Sequence, residues 1–560
     1  MKKIIKLIFI IIIAVSIFLN CNGLQNTNQN DSDSWYQRDE WLQWDNNDEG
    51  IKTFYVSKTG SDTNNGLSET RSLLTITKAI SLAAAGDTII VKPGVYEEHI
   101  ILNKNGEPGK WITLKAHPDF MAKDISKKYG FDQRENYGVV ITGTEWSACA
   151  VDVRASYVKV KGFFITCFPA GGSERYDVAV RLRDSSNSNF GGKPKGQPYN
   201  HIIISENVIY GGGESGITGG GVDFVYLRNN IIFQNSSPGF WMGSGISLGF
   251  VYNPMMPFND PNDKRFHYVV EGNICYGNSN YWIGYQKKIL NSPPNPYPEL
   301  TGKGSSDGNG IIIDWAGNIS ASRSLVRNNI VYNNGQRGIC LTYSSNAVVI
   351  NNTIYDNAWD PYYNWDWGHQ GEIADVGGIA NDSSYPFSGQ CGVDRNIFVN
   401  NIIFTKTNGR YRGDAVMNNS RVYSDYNFYY NGGFGNALIN PDNNLQNYMN
   451  KNDRQGLNPM FVNAPALIAN SNRFSRPSDI NPVDPVHWYS LNFSLRRNSP
   501  VIGLGYNTTS TFNTPPSMPA DLSNELKYFL DKALPSYDIF GNKRDPLKID
   551  PGAVAFNTRI

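Results

Sequence analysis

The chain has 560 residues, with Lys+Arg 50 and Asp+Glu 50, so its formal net charge is zero. That balance excludes the basic footprint on which nucleic-acid binding rests, and no nucleic acid is expected as a partner. Gly numbers 54, aromatic residues make up 13 %, and asparagine is abundant, which together favour turns and strands over helices.

The first element is an export signal over residues 1–21. Met1-Lys2-Lys3 and Lys6 give a positive start and Leu7 to Leu19 an apolar core. The run is short for a membrane span, and Cys21 follows it. "IFLNCNG" resembles a bacterial lipobox, which implies that Cys21 is lipidated and becomes the mature N-terminus. The alternative is simple cleavage and a free secreted protein. Either way the protein is expected outside the cytoplasm, anchored to the outer or cytoplasmic membrane if Cys21 is acylated. Residues 22–50 are polar and suit a flexible tether. Residues 51–560 are expected to form a single domain, with a closing segment from about 455. Cys149, Cys167, Cys275, Cys340 and Cys391 form no CxxC pair. They are expected to be buried thiols, with Cys149–Cys167 the one candidate disulfide.

Through the middle of the chain runs a repeat. Asn-x-x-Tyr/Phe recurs at Asn207/Tyr210, Asn230/Phe233, Asn273/Tyr276, Asn329/Tyr332, Asn352/Tyr355, Asn401/Phe404 and Asn427/Tyr430, and its shortest spacing is 23 residues. A period of roughly 20–50 residues signals a solenoid. Short apolar runs between Gly and Asn, without helical periodicity, select coils of β-strands. Coils stacked about 4.8 Å apart would let the asparagines form a side-chain amide ladder. Asparagine also tolerates left-handed backbone at a corner. The repeated Asn is therefore scaffold.

A second strand in each coil begins Gly-Ile, at Gly216, Gly245, Gly310, Gly338 and Gly378. Period-2 alternation points Ile339 and Leu341 inward and Thr218, Ser247, Ile312 and Cys340 outward. The next outward positions are Asp314, Thr342 and Asp382. Long excursions interrupt the coils at 250–266, 279–309 and 358–377, and solenoid insertions often emerge on one binding face.

"TFYVSKTGSDTNNGLSETRSLLTITKAISLAAAGDTIIVKPGVYEE", residues 53–98, resembles the N-terminal signature of the right-handed parallel β-helix proteins of the pectate-lyase-like superfamily. "LNPMFVN", "SLNFSLRRNSPVIGLG" and "DIFGNKRDPLKIDPGAVAF" resemble its closing segments. The resemblance implies an all-β right-handed parallel β-helix, capped by a helix through Thr75–Ala85, with long loops on one face. "SSDGNGIIIDW" is similar to the Asp-Gly rung of polysaccharide lyase family 9, whose Asp residues hold calcium. It departs at Ile312, where that family's lysine falls.

The expected site lies where insertions flank the Gly338 coil. Asp314, Asp382 and Arg337 are the candidate catalytic residues. Tyr281, Trp282 and Lys287 on one side, and Trp359, Tyr363, Trp365 and Trp367 on the other, are candidates for substrate binding, since aromatic faces suit sugar rings. Asp307 and Asp314 are candidate ligands for Ca2+, which takes hard oxygen donors. Two chemistries fit. One is calcium-assisted β-elimination by a polysaccharide lyase, with Arg337, Lys287 or Lys288 as base. The other is glycoside hydrolysis by Asp314 and Asp382, separated by two coil spacings. A non-catalytic, adhesin-like lipoprotein that binds glycan is the alternative. The expected partner is a polysaccharide, and the protein is expected to be a monomer. If Cys21 is the anchor, labelled fatty acid should enter the protein and Cys21→Ala should abolish the label; label retained in the variant would rule the anchor out.

Overall fold

The computed structural model describes residues 51–144, 147–167, 178–183, 198–235, 243–249, 265–278, 308–314, 323–342, 344, 346–357, 371–375, 394–404, 414–418, 421–430, 439–441, 452–465, 490–507, 509–510 and 520–556. All of them fall in one compact unit, Asp45–Ile560. Three long sheets run through it, of 11, 11 and 10 strands among the described residues. Within each, every pairing is parallel. One coil takes a strand from each sheet in turn: Arg323–Arg327, Ile330–Tyr332 and Ile339–Thr342. The next coil opens at Ala347–Ile350, with Ser324 beside Ala347. A bare coil is thus 23 residues long, the interval of the repeat, and the fold is a parallel β-helix.

The repeated asparagines sit at the corner between the first and second sheets. Asn329 donates its backbone N–H and its Nδ2 to Oδ1 of Asn352, both at 2.9 Å. Asn352 does the same to Asn401, and Asn401 to Asn427. Upstream the chain of amides runs Asn207, Asn230, Asn273, Asn329. All seven are fully buried, and the second Nδ2 hydrogen goes to carbonyls such as Val326 O. The left-handed residue is one position earlier than expected. Asn229, Asn328, Asn351 and Asn400 have φ between 54° and 57°, and Glu206, Gly272 and Tyr426 take the same place in their coils. Turning the chain there aims the next side chain into the coil. A second amide ladder, not expected from the sequence, marks the corner after the second sheet: Asn235, Asn278, Asn334, Asn357. It too follows left-handed residues, Gln234, Gly277, Asn333 and Asp356. The aromatic of the repeat faces the other way and stacks, Phe233 on Tyr276 at 5.0 Å and Tyr276 on Tyr332 at 4.8 Å.

Inward residues of the third sheet, Ile217, Ile246, Ile311, Ile313, Ile339 and Leu341, belong to one core cluster. Thr218, Ser247, Ile312 and Cys340 have the opposite parity and are absent from that cluster, yet they are buried. Outward does not mean exposed in this row. The strand expected at Gly378 is replaced by Gly371–Asp375, which sets Ile373 beside Ile339, Ala374 beside Cys340 and Asp375 beside Leu341. The pairing continues the register column of Ile311 and Ile339 at Ile373. The Gly-Ile dipeptide singled out the later of two Ile-Ala runs.

The cap helix spans Ile76–Leu82 and buries Ile76, Ala79 and Ile80 against the core cluster. Thr75 caps it by accepting from Lys78 N, and Asp62 fixes Thr75 through its backbone and hydroxyl. The closing segment returns along the outside. The helix Ala520–Ala533 packs on the first sheet, with the Arg323 guanidinium over the Phe529 ring. Asn328, Asn351 and Asn400 donate to Tyr537 O, Asp550 O and Tyr506 O. Cys149, Cys167, Cys275 and Cys340 are buried and in no disulfide, which corrects the expected Cys149–Cys167 pairing. Cys167 belongs to the inner core, whereas the Cys149 thiol lies 3.5 Å from His99 Nε2.

The first ladder ends on a carboxylate. Asp453 Oδ1 accepts from Asn427 N and Nδ2, and Oδ2 from Ser424. Desolvation pushes its pKa up to about 7. Its proton therefore stabilises the fold below the unfolded value of 3.8, and that contribution is lost as pH rises through about 7. Asp453→Asn should raise the melting temperature at pH 8 and much less at pH 5; a pH-independent gain would contradict this. Leu341→Ala should cost about 2–5 kcal/mol in urea unfolding, as truncation in a closed core does.

Candidate functional site

Two of the three outer faces carry structural cover. The first sheet receives the C-terminal helix. The second is packed by Ala122, Ile125 and Phe131 at one end and by Phe461, Phe493 and Leu495 towards the other. The third sheet presents two outward rows. One is the buried row Thr218, Ser247, Ile312, Cys340. Beside it the register pairs Arg183 with Gly220 and Asp314 with Thr342. Gly249 follows Leu248, which pairs with Gly219 and Ile313, and so falls between Gly220 and Asp314. Arg183, Gly220, Asp314 and Thr342 are each partly exposed. Gly249 between them is buried.

Asp314 ends its strand, Ile311–Asp314. Ile311 and Ile313 anchor it from the core side. Its neighbour on the next coil, Thr342, has its hydroxyl 3.1 Å from the Cys340 thiol. Carboxylate and hydroxyl oxygens suit a hard cation. Arg337 sits just before Ile339–Thr342 and is buried. Its N–H donates to Asn309 Oδ1 at 3.3 Å, and its carbonyl accepts from Gly310 N. It therefore belongs to the coil's entry, where Ser215, Ser244 and Asn309 form a further side-chain chain. A buried guanidinium, always charged, is a poor base. Asp382, Asp307, Tyr281, Trp282, Lys287, Trp359, Tyr363, Trp365, Trp367 and Cys21 lie outside the described residues.

Sequence reasoning missed a charged cluster at the other end of the same face. Asp152, on Cys149–Val153, is fully buried. It accepts from Arg154 Nε at 3.0 Å and Nη2 at 2.7 Å, and from Arg183 Nε at 2.9 Å and Nη2. His99 Nε2 is 3.8 Å away. Burial alone would raise the carboxyl; hydrogen bonds from His99, Arg183 and Arg154 overcome it and hold Asp152 well below the usual carboxylate range. The ligand atoms of His99, Cys149 and Asp152 lie within 4.8 Å of one another. They do not fit a metal ion, because two guanidiniums already hold the carboxylate. Burial also pushes the Cys149 thiol up to about 12, so it stays protonated. The signal in the sequence was the alternation Asp-x-Arg at 152–154 and Arg-x-Arg at 181–183, charged residues inside runs of Val and Leu.

A family model described as a protein of unknown function (DUF1565) matches residues 58–102, the capped first coil. The uncharacterized protein YwoF of Bacillus subtilis (strain 168) is 26 % identical over 172 residues, 30 % of this chain and 30 % of that one. Pectate lyase L of Dickeya chrysanthemi is 25 % identical over 338 residues, 55 % of this chain and 67 % of that one. The chain thus spans less than a third of the first relative and about two thirds of the second. Among solved structures, pectate lyase Pel9A has a TM-score of 0.45 at 15 % identity, covering 91 % of this chain and 97 % of its own. XylC bound to xylose has 0.42 at 14 %, covering 90 % and 98 %.

Proposed function

We propose that this pectate-lyase-like parallel β-helix cleaves an acidic polysaccharide by β-elimination on the outer face of its third sheet. The observation that carries the reading is the similarity to pectate lyase L over 338 residues. The partial exposure of Asp314 at the end of its strand supports siting the reaction there. Elimination needs the uronate carboxylate neutralised and the C5 proton taken by a base, after which the C4–O bond breaks and a C4=C5 double bond forms. Asp314 and Asp307 would hold a calcium ion, which would supply the neutralising charge. With Arg337 buried, Lys287 or Lys288 takes the role of base. The aromatic residues of 281–282 and 359–367 would bind sugar faces. The protein would work as an exported monomer, held to a membrane through Cys21.

Purified protein should release unsaturated uronates from an acidic polysaccharide, read by ultraviolet absorbance. Activity should fall with a chelator and return with calcium. Asp314→Asn should abolish it while changing stability by less than about 0.5 kcal/mol, as for a partly exposed near-isostere. New reducing ends without the absorbance would support a hydrolase instead, and binding without cleavage would support the adhesin-like alternative.

A further inference from the structure

We infer that Thr342 completes the cation site at Asp314, and that Ser344 is the positioning residue that holds the two side by side. The inference rests on the proposed calcium-assisted elimination and assigns two further residues to it. Three observations carry it.

The first is spacing. Asp314 and Thr342 are partners in the parallel register, and both are partly exposed. Each ends its strand, Ile311–Asp314 and Ile339–Thr342. Paired strands lie about 4.8 Å apart. Two oxygens on one calcium ion, each about 2.3–2.6 Å from it, lie within about 5 Å of each other. Neighbouring coils therefore set two side chains at the interval one ion needs. Upstream on the same row stand Gly220 and Gly249, which bring no side-chain oxygen.

The second is a clamp. Ser344 is buried, and its hydroxyl is shared between Ile313 O at 2.9 Å and Thr342 O at 3.0 Å. Ile313 precedes Asp314, so one O–H ties together the ends of the two strands that carry the site. Ser344 is fixed in turn from the following coil. Asn396 Nδ2 donates to Ser344 O at 2.9 Å, and Asn396 Oδ1 accepts from Ala347 N at 2.9 Å. Asn396 is fully buried as well. Ligands placed on two strand ends need such an outer tie, because the groups behind the ligands hold them in the geometry the ion requires.

The third is the sulfur beside the hydroxyl. Thr342 Oγ1 lies 3.1 Å from the Cys340 thiol, which is fully buried. Donation of the hydroxyl proton to that sulfur, a weak acceptor, leaves the oxygen's lone pairs to accept a cation. Cys340 thus sets the direction of the hydroxyl and Ser344 the place of the backbone that bears it. Asp314 brings the charge and Thr342 a neutral oxygen, a mixture that calcium takes.

The test titrates calcium chloride into the purified protein by calorimetry and follows release of unsaturated uronates from polygalacturonate alongside. Thr342→Val and Ser344→Ala should each weaken calcium binding about tenfold, the low end of the loss seen when a group behind a metal ligand is removed. Thr342→Ser, which keeps the hydroxyl, should bind as wild type does. Ile217→Val, in the core column of the same sheet three coils from Ile339, controls for general loosening and should leave binding unchanged. Thr342→Val is at a partly exposed position and keeps the test open should Ser344→Ala fail to fold. If Asp314→Asn abolishes calcium binding while Thr342→Val and Ser344→Ala bind as wild type does, the inference is wrong and the proposed function stands. An equal loss in Ile217→Val, or calcium binding indifferent to Asp314→Asn, overturns it as well. If binding depends on Asp314, Thr342 and Ser344 but no polysaccharide is cleaved, the inference stands and the lyase reading falls. If wild type neither binds calcium nor cleaves, both fall.

Discussion

Where the first sheet turns into the second, each coil buries an asparagine in a place without water. A buried amide left unbonded costs on the order of 1–3 kcal/mol. Here each one is satisfied by the coil on either side: Asn352 accepts from Asn329 and donates to Asn401. A carboxamide can do this because it carries both donor and acceptor, so it propagates from coil to coil. Aspartate cannot donate when ionised. Asp453 stands at the terminus, where its Oδ1 accepts twice from Asn427. The ladder fixes coil spacing and register, and the rest of the molecule inherits both.

Its first consequence is where the chain can grow. The first corner keeps its length in every coil that the ladder joins, from Asn207 to Asn427. The second ladder begins at Asn235 and ends at Asn357. The interposed stretches 236–242, 279–307 and 358–370 follow directly after its asparagines, and 250–264 and 315–322 follow strands of the third sheet. Along the ladder extra residues are thus admitted on both sides of the third sheet, whereas between the first and second sheets an insertion, 117–138, comes only ahead of it. A face bordered in this way can gain binding loops without breaking the helix, which is why solenoids concentrate function there.

The second consequence is how the helix is clasped. Left-handed backbone at Asn328, Asn351 and Asn400 points three amides outward, and these hold the returning segment. Asn400 both donates to and accepts from Tyr506. Arg544 reaches Asn328. The corner therefore uses adjacent asparagines for opposite tasks, one tying coil to coil inside and the one before it tying the closing segment outside.

The sequence by itself determined the architecture. Period and residue type carried the ladder at Asn207 to Asn427, the inward column at Ile339 and Leu341, and the cap helix under Thr75, because a repeated local interaction leaves a repeated local pattern. The second ladder was equally legible in "NIIFQN" and "NIVYNN", whose last asparagines repeat as faithfully as the first. Pattern stopped being enough where two segments competed for one place. "GEIAD" and "GGIAND" both offer an Ile at the right spacing, and only the pairing of strands set Ile373 beside Ile339. Outward parity for Cys340 was right and its burial was not readable, since what covers a face is decided by distant chain. The Asp152 cluster shows the same limit. His99, Asp152 and Arg183 are far apart in sequence and share no motif, so only the stacking of three coils brings their charges together.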